Sequence, residues 1–286
     1  MVEQAFTMAN LASASVKTEP IDANAAWLLQ QLFNIEGSAA KTMVELALDP
    51  GQPNNKQERT GIRVFEEEKT GDLDDLDKNE VVIFCDTSRL ERRVKDPLHL
   101  YDNKVKRAVG STNGCGRAFM YTQTFANHWD VIQVCPWFLQ YAMGKKFQTK
   151  KDITSLRAYL AVKGLDTWIT NKKYTPIDLM SLWDKAMLHE MMHTTPGGFK
   201  DDIGGFDGYG WKNCKGLAGD GSGKNNADSW ALFGSALYWF SQGSPIDENG
   251  NFVSTPSVQG SSRRWLGSGA GRGIDAVQVD AIKHLM

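Results

Sequence analysis

His189-Glu190-Met191-Met192-His193 is the stretch whose reading decides the fold. Two imidazoles one helical turn apart lie on the same helix face, so both can reach a single metal ion. Glu190 stands between them, placed to accept a proton from water that the metal activates. The chain has 5 histidines, and two of them stand in this arrangement. The chemistry implied is zinc-dependent hydrolysis, with peptide bonds as the target. The five residues taken alone also fit a core helix that carries its histidines by chance.

The flanks predict one long helix. Thr175 suits an N-cap, Pro176 the first helical position, and Asp178 the positive helix end. Ile177, Met180, Trp183, Met187 and Met191 recur at helical spacing and predict a single buried face. Pro196-Gly197-Gly198 ends the run. A catalytic zinc takes three protein ligands and leaves a fourth position open. The only histidine downstream is His284. The loop from Gly197 to Trp211 is rich in glycine and offers Asp201, Asp202 and Asp207. Those carboxylates are candidate ligands, or else solvated residues on a surface connection.

The motif, followed by an aspartate loop ending in Tyr209-Gly210, resembles the aspzincin metallopeptidases, which include deuterolysin and the fungal peptidyl-Lys metalloendopeptidases. Asn226-Ala227-Asp228-Ser229-Trp230-Ala231-Leu232-Phe233 is similar to the block that follows the metal loop in that family. Val131–Phe138 and Val82–Asp86 resemble upstream family segments, and the likeness spans roughly residues 60–242. The resemblance implies a zincin-like α+β fold with an active-site helix, a backing helix and a small mixed or antiparallel sheet. It implies an aspartate as third zinc ligand, and Tyr209 as a hydrogen-bond donor to the oxyanion. The family frame Gly-Thr-x-Asp-x-x-Tyr-Gly is absent here. Aligned on a longer loop, Asp202 is the third ligand, with Asp207 the runner-up and Asp201 behind it. The implied site is therefore His189, His193 and Asp202 on Zn2+, with Glu190 and Tyr209 catalytic. Asn226 reads as an N-cap, and Asp228 as a partner for a ligand histidine.

The rest of the chain bounds the function. At 286 residues it can bury a full core. The formal charge is −2, with 41% hydrophobic and 23% charged residues, so no electrostatic case exists for nucleic acid or an anionic membrane. No run has the length of a transmembrane helix. The expected partner is a protein or peptide substrate, met by a monomer. Four cysteines allow two disulfides in three pairings, and no Cys-x-x-Cys suggests a structural zinc site. Cys135 and Cys214 fall in family-like segments, which favours disulfides and a secreted protein, although no signal peptide shows. The alternative is a non-catalytic secreted binding or effector protein on the same scaffold.

Local patterning predicts a mobile tail over 1–21 and a single domain over 22–286. Helices are expected over Ala23–Phe33, 38–48, 153–169, from Ala227, and over 274–285. Strands are expected over 61–67, Val81–Asp86, Ala118–Thr122 and Asp130–Cys135. A loop is expected over 49–55, a solvated acidic run over 72–77, and irregular chain over 243–274. Strands in the middle with helices on both sides give an α+β class.

Overall fold

The computed structural model describes residues 2–36, 76, 80–110, 114–116, 118–143, 174–180 and 182–253. The expected elements at 38–48, 49–55, 61–67, 153–169 and 274–285, and most of the run 72–77, lie outside them.

The elements are α1 (Val2–Lys17), α2 (Ala23–Phe33), β1 (Val81–Phe84), β2 (Leu90–Arg93), β3 (Asp96–Asp102), β4 (Arg107–Gly110), β5 (Met120–Gln123), β6 (Asp130–Val134), α3 (Pro136–Met143), α4 (Pro176–Leu179), α5 (Leu182–His193), α6 (Trp211–Asp220) and α7 (Ala227–Ser241). The class is α+β. No helix among the described residues is long and apolar enough to cross a membrane.

Residues expected as a mobile tail form α1, which buries Ala5, Met8, Ala12 and Val16 along one face and packs on α5 and α7. Glu3 in its first turn and Lys17 in its last suit the helix dipole. The approach to α7 is close because residue 234 is glycine: a Cβ there would lie 2.9 Å from Leu188 Cδ2 and 3.2 Å from Met8 O. The compact unit holding the described residues is Met1–Ser254. α2 has the predicted bounds, since Asp22 Oδ1 caps it by accepting from Asn24 N at 2.9 Å and Ala25 N at 3.1 Å.

Two small sheets stand between the helices in sequence. In the mixed sheet, β6 is central, parallel to β1 and antiparallel to β5. Every residue of β6 is buried, as a strand covered on both faces should be. Ile132 and Val134 join the large core made with the helices, while Val131 joins Val82, Phe84, Val105 and Trp129 on the opposite side. The second sheet, β2-β3-β4, is an antiparallel meander. It exposes most of its residues, so its strands lack the alternation that reveals a strand in sequence. It is tied to the mixed sheet by a buried cation: Arg89 Nε donates to Asp102 Oδ2 at 2.7 Å, and its Nη1 donates to Gln133 Oε1.

One disulfide, Cys115–Cys135, crosslinks the approach to β5 with the end of β6. Two disulfides were allowed by the cysteine count, but Cys85 and Cys214 are free thiols. Cys214 is buried against the loop between α5 and α6, its Sγ 3.3 Å from Gly208 O.

Candidate metal centre

The expected long helix is two helices. Ile177, Asp178, Leu179 and Met180 are all buried, and four consecutive residues cannot share one face of a straight helix. Met180 leaves helical backbone at φ −78°, ψ 135°, and α5 begins anew at Leu182. The cap at Thr175 is as predicted: its N and Oγ1 donate to Asp178 Oδ2 at 2.5 and 2.9 Å. α5 is buried nearly all round rather than on one face, because it lies among α1, α7 and β5.

The end of α5 folds the chain back over its own ligands. Thr194 Oγ1 donates to Met191 O at 2.6 Å and accepts from Gly197 N at 3.1 Å. Only glycine fits at 197, where a Cβ would stand 1.9 Å from Met191 O. The returning strand then pairs Lys200 N with Met192 O at 2.8 Å. Next, Asp201 forms a short parallel bridge at Asn226, with Asp201 N to Asn225 O at 2.8 Å and Ala227 N to Asp201 O at 2.9 Å. Asp202 is thereby seated over the two histidines.

Three ligand-type atoms meet there. His193 Nε2 lies 3.1 Å from His189 Nε2, and Asp202 Oδ1 lies 3.3 Å from His189 Nε2 and 3.4 Å from His193 Nε2. The far ring nitrogens face acceptors behind, His193 through a hydrogen bond and His189 through proximity alone. His193 Nδ1 donates to Lys200 O at 2.6 Å, and His189 Nδ1 lies 3.4 Å from Asp228 Oδ1. With protons on Nδ1, both Nε2 atoms present lone pairs. Three acceptors therefore converge, and Asp202 Oδ1 is buried without a hydrogen-bond donor. Such an arrangement is repulsive unless a cation or protons occupy it, so this group can hold a metal ion. Without a metal, protons take that place. Burial opposes a charge on His189, but the close carboxylates of Asp202 and Asp228 outweigh it and lift its pKa to about 10. Burial acts to raise Asp202, yet both histidines hold it well below the carboxylate range.

The remaining expected residues separate cleanly. Glu190 is buried, and its Oε2 accepts from Thr122 Oγ1 at 2.8 Å. Its charge acts on both histidines. Tyr209 packs edge-on against His189, ring centroids 5.3 Å apart, and the charge of Asp202 acts on its hydroxyl. Burial and then the charge of Asp202 push its phenol upward. Asp207 sits exposed in the turn Gly205–Gly208, and Asp201 is exposed, its Oδ1 accepting from Asp202 N. Neither belongs to the converging group, which takes Asp202 alone from the loop.

Asn226 does not cap α7 with its side chain. It holds the loop instead: Oδ1 accepts from Ile203 N at 3.2 Å, and Nδ2 donates to Gly208 O at 3.0 Å and to Ser229 Oγ at 3.1 Å. Sequence reading missed Thr122, Lys185 and Asp178 as parts of the centre. Lys185 carries a visible signal, since it lies one turn before His189 on the same helix face. Its ammonium is 3.6 Å from Asp228 Oδ1. Burial disfavours its charge, but Asp228 and Asp178 hold the pKa above the ordinary lysine value. Thr122 carries no such signal, because only the fold brings β5 to Glu190. No protein-family model, curated protein or solved structure matches this chain.

Proposed function

We propose that the chain is a secreted, monomeric zinc endopeptidase of the aspzincin type, with a zincin-like fold and His189, His193 and Asp202 as ligands. The observation that carries the reading is the triangle of ligand atoms with sides of 3.1, 3.3 and 3.4 Å, on whose histidines the charge of Glu190 acts. Tetrahedral zinc with bonds of about 2.0–2.1 Å separates its ligands by about 3.3–3.4 Å. Two imidazoles and a carboxylate are also a common donor set for zinc. The disulfide supports an oxidising compartment.

A bound zinc ion supplies Lewis acidity, which acidifies water and polarises a carbonyl. The chain supplies the rest. Glu190 accepts the proton of the attacking water and returns it to the leaving amine. Thr122 Oγ1 fixes the carboxylate for that transfer. Tyr209 donates its hydroxyl hydrogen bond to the developing oxyanion. Lys200 O and Asp228 keep each ring in the tautomer that points Nε2 inward.

One observation favours the non-catalytic alternative: the loop around Asp207-Gly208-Tyr209 departs from the family frame. A single experiment separates the readings. Zinc content is measured on purified wild type and Glu190→Gln, and both are incubated with a mixed peptide library. One zinc per chain in both, with cleavage by wild type alone, is the expected result. No zinc in wild type overturns the metal centre; zinc without cleavage leaves a binding protein.

A further inference from the structure

His189 does not face Asp228 alone. Lys185 and His189 share a face of α5, and both approach the same oxygen. Lys185 Nζ lies 3.6 Å from Asp228 Oδ1, and His189 Nδ1 lies 3.4 Å from it. The other oxygen of Asp228 accepts from Gly210 N at 2.7 Å, which fixes the backbone next to Tyr209. Lys185 is 5% exposed and Asp228 5%, so water gives this pair little help.

A second acid, Asp178, is 1% exposed, and its charge also acts on Lys185. Its own oxygens are committed elsewhere: Oδ1 accepts from Trp211 N at 2.7 Å, and Oδ2 accepts from Thr175. Lysine is almost never this buried without a partner. A lysine needed only to offset two acids could lie anywhere between them. Here it bears on the one carboxylate oxygen that faces the ring of a ligand. With a cation on one side and Gly210 N on the other, Asp228 has little freedom to rotate.

We propose that Lys185 is a positioning residue for the metal centre: its ammonium pins Asp228 Oδ1 against His189 Nδ1, which sets the His189 ring with Nε2 towards His193 and Asp202. This rests on the metal-centre reading above, and its test separates the two. Lys185→Met keeps the length and removes the charge; Lys185→Gln keeps a donor and serves where Lys185→Met fails to fold.

Zinc affinity is read by chelator competition on the folded protein, and the site's symmetry by the visible d–d absorption of the Co2+-loaded protein. Loss of a partner that orients a ligand lowers metal affinity about 10–100-fold. That loss is expected for Lys185→Met, with a smaller one for Lys185→Gln and an altered cobalt spectrum in both. Leu28→Ala, in the α2 core, is the control: it lowers stability and leaves zinc affinity unchanged. Lysine variants that bind zinc as tightly as wild type, with the wild-type cobalt spectrum, overturn the inference. Wild type that takes up no metal overturns the metal centre and this inference together.

Discussion

Asn226→Ala will weaken metal binding although Asn226 is not one of the converging ligands. Its side chain is wholly buried and joins both ends of the segment that follows Asp202, through Ile203 N, Gly208 O and Ser229 Oγ. Three hydrogen bonds at about 0.5–1.5 kcal/mol each give a loss of about 1.5–4.5 kcal/mol in the metal-free protein. The backbone bridge between Asp201 and residues 225–227 needs no side chain, so the variant still folds. What it loses is the fixed position of Asp202. Urea unfolding with and without saturating zinc measures both effects. Zinc stabilises by RT ln(1 + [L]/Kd), so each tenfold loss of affinity removes about 1.4 kcal/mol of that gain at fixed zinc. The loss should therefore be larger with zinc than without. An equal loss under both conditions would show that Asn226 supports the fold alone, and the account of the loop would fail.

Asp202→Asn should lower zinc affinity more than about 100-fold, while Asp207→Asn leaves it unchanged; chelator competition on the two variants checks the ligand assignment. Thr122→Val should leave zinc content intact and slow peptide cleavage about tenfold, with Thr122→Ser recovering most of it, since one hydrogen bond to a charged group is at stake. The pH dependence has opposite signs in the two metal states. In the metal-free protein the His189 pKa is raised from 6.5 to about 10. Its stabilising contribution is therefore complete below the unfolded value and lost as pH climbs through about 10. Urea midpoints of the metal-free chain should fall across that window. Zinc must displace the same proton, so its affinity should rise about tenfold per pH unit over that range.

The parts of the fold legible in sequence are those with strong local chemistry. The span Ala23–Phe33 announces α2, the apolar run announces β6, and the motif announces the two imidazoles. α1 escaped because its buried stripe is mostly alanine and serine with Met8 and Val16, which weigh little as hydrophobic signal although the spacing is helical. α6 escaped because Gly216 and Gly219 lower its helix propensity, and the burial of Trp211, Cys214 and Ala218 overrides them. The meander escaped because it exposes both sides of its strands. In the site, Asp202 required an alignment with a longer loop, since three carboxylates crowd the same glycine-rich segment. Its seat depends on Asn226, which lies far along the chain. Thr122 and Asp178 reach the centre only through tertiary packing, which no spacing rule encodes.

The parallel bridge at Asp201 would give a bound ion a mechanical role. The imidazole pair is complete once α5 coils, whereas the carboxylate arrives from a segment docked on the start of α7. A metal in this group would therefore act as a rivet between the two stretches of chain. Stripping it would free residues 201–210 to breathe before the rest of the body, and amide exchange would quicken there while β6 kept its protons.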